Sequence, residues 1–248
     1  MSIHDRFRAW MDAGRYRDFE TRWDDRLLRE AVLEELGPEI DLLDLGAGAG
    51  IVPEMSFKGL ARRVCGVDPD PRVVENPHLD EGREGFGEKI PWDDSSFDVV
   101  VSDNVLEHLD DPESVFREVR RVLRPGGVFL AKTPNRWHYV AIGASITPHS
   151  FHQRFNAARG RKSVDTFPTR YRANSRGQLE RLAEESDLRL ESVDFFEGRP
   201  EYLRRWAPAY AIGAIYEMLV NASSVFAPLR VVLIAKLRKP GGVGTPVG

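Results

Sequence analysis

The chain has 248 residues, enough for one sizeable α/β domain with embellishments or for two small ones. Its 42% hydrophobic and 30% charged content is that of a folded globular protein, and a formal net charge of −4 gives no global attraction to nucleic acid, although a local basic patch stays open. A single cysteine, Cys65, excludes an intramolecular disulfide and most thiolate metal centres.

Residues 1–22 interleave Arg and Asp with Phe7, Trp10, Tyr16 and Phe19, and are expected to form one or two small helices or an arm, over 1–26. The opening stretch MSIHDRFRAWMDAGR has no apolar core, so no secretory leader is expected and a cytoplasmic location is the default. From Trp23 to Leu36, Leu27, Leu28, Ala31, Val32 and Leu36 make one helical stripe, which Gly37-Pro38 ends. The run Leu42-Leu43-Asp44-Leu45 then reads as a buried strand breaking into Gly46-Ala47-Gly48-Ala49-Gly50. Glycine permits positive φ and lacks the Cβ that would block close approach, which suits a turn lying against a ligand. Pro53 limits any helix over Ile51–Leu60 to a short one, whose amides could face a carboxylate. Arg63–Asp68 is a second strand, with Cys65 a buried inert thiol and Pro69 the stop. Pro71–Glu75 is at most a brief helix, and an irregular stretch rich in Gly and Glu runs to Gly87.

Ile90-Pro91-Trp92 and Asp93–Ser96 lead into Phe97–Ser102, which reads as a buried parallel strand. Asp111-Pro112 starts a helix with Val115, Phe116, Val119, Val122 and Leu123 inward; Arg124-Pro125-Gly126-Gly127 closes it and turns into the strand Val128–Lys132. Strand, helix and strand alternate as a right-handed parallel sheet requires. Residues 133–174 break this rhythm with Pro134, Pro148, Pro168, His138, His149, His152 and many arginines and aromatics. So long a segment after a sheet strand is an active-site cover or a partner surface, and it defines a substrate-side insertion at 135–174. Ser175 caps a helix with Leu179, Leu182 and Ala183 inward, and Leu188–Phe196 is a strand. A second insertion, 197–228, is largely helical. Its apolar stretch Ala207–Ala222 contains Glu217 and is too short to span a bilayer, so no membrane span is expected. The apolar face there could dock a lipid tail, a second subunit or the domain's own core. Leu229–Leu237 is the last strand, and 239–248 is a flexible tail.

The dinucleotide fingerprint needs glycine at its first, third and sixth positions; counting from Gly46 the sixth is Ile51, which argues against a nicotinamide enzyme. An acid ending the second strand of a doubly wound sheet can accept both ribose hydroxyls, and Asp68 is so placed. Its plainer reading is a strand-ending Asx turn.

The blocks LLDLGAGAG, VCGVDPDP, IPWDDSSFDVVVSDNVLEHL and VLRPGGVFLAKTPN together resemble the class I S-adenosylmethionine-dependent methyltransferases, in that family's order and spacing over residues 27–135. The resemblance implies an α/β fold over 27–238: a Rossmann-like doubly wound sheet, mostly parallel with an antiparallel final strand, and helices on both faces. It implies S-adenosylmethionine as cofactor and S-adenosylhomocysteine as product. Gly46, Ala47 and Gly48 match the turn beneath the cofactor's methionine and ribose. Asp44 matches the acid that orients this loop and the cofactor's amino group, and Asp68, followed by Pro69, matches the ribose acceptor. Phe86, ahead of Gly87, stands where the family commonly places an acid for the adenine amino group. Either adenine stacks on Phe86 with backbone groups around Gly87 assisting, or Phe86 is a plain hydrophobic plug. Ser102 and Asp103 fall where the family meets the methionine part. Some relatives hold a divalent metal through nearby acids and a histidine; here the first of those acids is Asn104, and no metal is expected. His108 is either a general base or a histidine that shapes the loop.

Methyl transfer from a sulfonium is an in-line displacement that depends on alignment in a dry pocket, so the lack of an obvious catalytic dyad is no argument against it. Asn135, Arg136, Trp137 and His138 follow the fifth strand and are expected at the pocket's mouth, with Arg170 and Tyr171 folding back over it. Aromatics mixed with arginine suit an anionic, sugar-like or lipid-headgroup acceptor, and equally an ordinary polar lid. Arg159-Gly160-Arg161-Lys162 reads as a solvated basic turn. The leading expectation is methyl transfer to a small-molecule acceptor, at oxygen, on a saccharide, lipid or secondary metabolite. No nucleic-acid partner is expected, and a homodimer stays open. Methylation of RNA or protein, and a non-catalytic scaffold of the same fold, are the alternatives.

Overall fold

The computed structural model describes residues 1–21, 23–146 and 168–241. His149, His152, the basic turn at 159–162 and the end of the tail lie outside the described residues. The chain divides into two units: a sheet unit of residues 25–133, 168–194 and 234–248, and a helical unit of 1–24, 134–167 and 195–233.

Among the described residues seven strands form one sheet: β1 (Asp41–Leu45), β2 (Arg63–Asp68), β3 (Glu81–Glu84), β4 (Phe97–Asp103), β5 (Leu123–Pro134), β6 (Arg189–Phe196) and β7 (Val232–Arg238). Their order is β3-β2-β1-β4-β5-β7-β6. β1 pairs in parallel with β2 (Leu43 opposite Cys65) and with β4 (Leu43 opposite Val100). β2–β3 and β4–β5 are parallel as well, and β7 is antiparallel. The strand order reverses between β1 and β4, which opens a crevice at their carboxyl ends; open α/β sheets bind ligands there.

Local chemistry explains the elements. β1 is buried on both faces at Leu42 and Leu43, as a central parallel strand must be. Its amino end is pinned by Asp41, which accepts hydrogen bonds from Arg62 Nε at 2.9 Å and Arg124 Nη2 at 2.8 Å. Burial alone pushes the Asp41 carboxyl up, but these guanidiniums outweigh it and hold the group below the usual carboxylate range. After β4 comes α3 (Pro112–Val122): Asp111 caps it by accepting from the Ser114 amide at 3.1 Å, Pro112 opens it, and Val115, Phe116, Val119 and Val122 are buried. α5 (Arg176–Glu185) is capped by Ser175, which accepts from Gln178 N–H, and buries Leu179, Leu182 and Ala183.

The remaining helices are α1 (Ile3–Gly14), α2 (Trp23–Leu33), α4 (Tyr139–Ile146) and α6 (Ala207–Ala222). In the helical unit, Met11 and Tyr16 pack with Tyr210 and Ala214. Asp12 ties the same elements by accepting from Tyr210 Oη at 2.7 Å and pairing with Arg204.

Four local expectations change. α2 ends at Leu33, three residues before the end of its apolar stripe. No α-helix follows the glycine turn: Pro53–Met55 is a single 3-10 turn, too short to present a row of amides. The stretch expected to be irregular contains β3, a polar edge strand that alternation of apolar residues could not announce. Arg124–Gly127, expected as a turn, lies inside β5, whose pairing with β4 shifts register between Phe97 and Val99.

Candidate cofactor site

The crevice between β1 and β4 gathers the residues singled out around the glycine turn. Gly46 has φ +88°, and a Cβ there would sit 2.2 Å from Val105 Cγ2, so both conformation and space require glycine. Its N–H donates to the Val67 carbonyl at 2.8 Å, with Ala47 N–H following at 3.3 Å. Gly48, at φ +50°, donates its N–H to Asp68 Oδ2 at 2.9 Å. A Cβ at Gly48 would meet nothing nearer than that carboxylate at 4.0 Å, so the turn leaves open space above its backbone.

Three carboxylates converge around this cradle. Asp68, ending β2, also accepts from Asp70 N–H at 2.8 Å; burial pushes its carboxyl up against the pull of these two amides. Each of its oxygens keeps a lone pair for a further donor. Asp44 on β1 is partly reached by solvent, yet no donor lowers its carboxyl. Desolvation first, then the charges of Asp103 and Asp68, push it up to about 7. Asp103, ending β4, accepts from Asn104 Nδ2 at 2.8 Å and pairs with Lys132 Nζ at 2.9 Å. Lys132 is fully buried and also pairs with Asp25, so one ammonium holds two carboxylates. Ser102 is fully buried and its hydroxyl has no hydrogen-bond partner. A glycine cradle with open space, two carboxylates with spare acceptor capacity and an orphan hydroxyl suit a ligand bearing a diol and an ammonium.

Pro69 is exposed beside Asp68. Phe86 is 64% exposed, so it is not a core plug and its ring is available for stacking. A Cβ at Gly87 would touch Leu45 and Val115 at 3.3 Å, which keeps that backbone close to the end of β1.

His108 Nδ1 lies 3.0 Å from the Pro168 carbonyl. A carbonyl only accepts, so Nδ1 carries the proton and Nε2 the lone pair in the neutral ring. Nε2 is 3.9 Å from Glu107 Oε1. Glu107 is buried and its carboxyl is pushed up, chiefly by desolvation. It accepts from Thr133 Oγ1 at 2.9 Å, and that hydroxyl in turn accepts from Asn174 Nδ2 at 2.5 Å. The Glu107 carbonyl receives the amides of Arg170 at 2.6 Å and Tyr171 at 3.3 Å. Tyr171 itself sits at φ +53°, uncommon for a bulky residue. Together these bonds stitch the segment from Pro168 onward to the ends of β4 and β5.

Sequence reading had no signal for this Glu107–Thr133–Asn174 chain, nor for Asn76. The Asn76 amide clamps the glycine turn by donating to the carbonyls of Ala47 at 3.0 Å and Gly48 at 3.2 Å. In one dimension Asn76-Pro77 is only a break, because its partners lie 28 and 29 residues away.

The other substrate-side residues lie in the helical unit. Asn135 is fully buried: its amide donates to the carbonyls of Pro228 at 2.7 Å and Arg230 at 2.8 Å, and its Oδ1 accepts from Trp137 N–H. His138 is buried too, with Nε2 3.4 Å from Glu197 Oε2. Both were expected at a pocket's mouth, and both serve internal packing here. Trp137 is 53% exposed, with the Arg136 guanidinium 5.2 Å above its ring. Among the described residues no group of three or more His, Cys, Asp or Glu side chains could hold a metal ion.

Comparison with known proteins agrees with this geometry. Residues 43–131 match the family model described as a methyltransferase domain. The chain is 39% identical over 132 residues to a probable S-adenosylmethionine-dependent methyltransferase of Mycolicibacterium smegmatis, covering 51% of this chain and 50% of that one. A ubiquinone biosynthesis O-methyltransferase of Methylobacterium sp. is 34% identical over 45% of this chain and 49% of its own. The thiol S-methyltransferase TMT1B of Mus musculus is 33% identical over 54% of this chain and 57% of its own. The chain thus spans about half the length of these relatives. Among solved structures, the [4+2]-cyclase SpnF superposes with a TM-score of 0.55 at 19% identity, covering 88% of this chain and 82% of that one, which speaks for the fold alone. The matched domain, its sheet order and the acids around its glycine turn identify residues 43–131 as a methyltransferase domain of the class I S-adenosylmethionine-dependent type.

Proposed function

We propose that this protein transfers a methyl group from S-adenosylmethionine to an oxygen of a small-molecule acceptor. The observation that carries the reading is the open backbone of Gly48 between Asp44 and Asp68 at the switch point of the sheet. In this reading Asp68 accepts the ribose hydroxyls, Phe86 stacks on adenine, and Asp44 and Asp103 face the amino group. When bound, the cofactor supplies an electrophilic sulfonium methyl whose C–S electron pair departs with sulfur. The protein's part is to hold the acceptor oxygen in line and to exclude water. His108 takes the acceptor's proton at Nε2, the ring nitrogen left with a lone pair by the bond from Nδ1 to Pro168.

The oxygen target draws support from the O-methyltransferase relative; the S-methyltransferase relative makes a thiol the competing acceptor. Calorimetric titration of the purified chain with S-adenosylmethionine and S-adenosylhomocysteine tests the first half of the proposal. Micromolar binding of both is expected. Screening alcohols, phenols and thiols for formation of S-adenosylhomocysteine tests the second, and turnover confined to thiols would overturn the oxygen assignment.

A further inference from the structure

Apart from Glu217 and Asn221 α6 is apolar, and the described residues pack on one of its sides. Tyr210, Gly213, Ala214 and Val220 are buried, whereas Ile212, Ile215, Met218 and Leu219 are each more than half exposed. Their spacing of three and four residues puts these four on one outward stripe. A helix with apolar residues on every side belongs in an apolar environment on every side. The acid within the helix, Glu217, is turned away from the stripe and pairs with Arg15 at 2.6 Å.

What lies at the rim identifies the occupant. Exposed Arg205 and Trp206 stand at the helix's amino end, and Val225 and Phe226 extend the apolar surface past its carboxyl end. Large aliphatics bordered by tryptophan and arginine match the boundary between acyl chains and headgroups. The exposed Arg205 at the amino end of α6 is complementary to anionic headgroups. No helix among the described residues is long and apolar enough to cross a membrane, and a 16-residue helix spans about 24 Å, so α6 would lie in the plane of the surface.

We propose that the outward stripe of α6 docks this protein on an anionic lipid bilayer. The inference stands apart from methyl transfer and is tested without it. The full chain is floated with vesicles of phosphatidylcholine, alone or mixed with phosphatidylglycerol, as wild type, Leu219→Asp and Arg205→Glu. The altered side chains are exposed, and circular dichroism and melting confirm that each variant is folded. Wild type is expected to float with the mixed vesicles and far less with the neutral ones. Leu219→Asp should lose about tenfold or more of that binding, and Arg205→Glu should lose the preference for the anionic lipid. Wild type remaining unbound, or Leu219→Asp binding equally well, would overturn the proposal. So would a dimer in sedimentation velocity that Leu219→Asp dissociates and that leaves the vesicles bare, since the stripe would then be an interface between copies.

Discussion

The amide of Gly48 donates a 2.9 Å hydrogen bond to Asp68 Oδ2, so the turn after β1 and the acid ending β2 are one mechanical unit. Substituting either end therefore affects both the cradle's shape and its acceptors. Asp68→Ala removes the two acceptor oxygens and the tether together. Charged hydrogen bonds of this type are worth about 1.5–3 kcal/mol each, so cofactor affinity should fall on the order of a hundredfold or more. The fold should persist, because Asp68 lies at a strand end. Calorimetry beside a melting curve separates the two effects; unchanged affinity in a folded variant would move the ribose site elsewhere.

Asp44 couples pH to both stability and binding. Its carboxyl titrates near 7 in the folded chain against an ordinary value of 3.8, so the folded state holds its proton more tightly than the unfolded state does. The resulting penalty is absent below pH 4, grows as pH rises, and is complete above 7. Asp44→Asn should therefore raise the melting temperature of the unliganded protein at pH 8 and change it little at pH 4. The cofactor's ammonium selects the ionised form, so wild-type affinity should weaken as pH falls through 7. In Asp44→Asn the affinity should be lower and that particular pH dependence lost. Calorimetric titrations at pH 6, 7 and 8 check this.

Phe86 offers a test of adenine recognition free of folding effects, since its ring is largely exposed. Stacking of a base on an aromatic ring is worth about 1–3 kcal/mol. Phe86→Ala should weaken S-adenosylhomocysteine binding by about 5- to 100-fold with an unchanged melting temperature, and Phe86→Trp should retain it. Equal affinity for all three would remove Phe86 from the site.

Thr133 sits between two buried groups, donating to Glu107 and accepting from Asn174. Thr133→Val keeps the shape and removes one hydrogen bond from each of two buried partners, at a cost of about 1–3 kcal/mol. Denaturant unfolding should show a lower midpoint at an unchanged slope. Because the same chain stitches the segment after Pro168 to the sheet, proteolysis near residues 168–172 should also accelerate.

The order of elements, the glycine turn and the acids at strand ends were legible in one dimension, and the reason is local. A central parallel strand must be a short apolar run, a positive-φ turn must be glycine, and Pro or Asp must mark the ends. Those constraints act within a few residues, so Leu42–Gly50, Arg63–Asp68 and Phe97–Asp103 announce themselves. Only the tertiary structure decided what depends on distant partners. The polar edge strand Glu81–Glu84 exists because β2 offers it a ladder, not because of its own pattern. Asn135 and His138 looked like mouth residues by position, yet Pro228, Arg230 and Glu197, far along the chain, bury them. Lys132 reads as a strand residue until Asp25 and Asp103 close on it, and Asp44 acquires its raised titration only when Asp68 and Asp103 converge at the same crevice. Burial and charge are sums over neighbours in space, and a sequence orders its neighbours along a line.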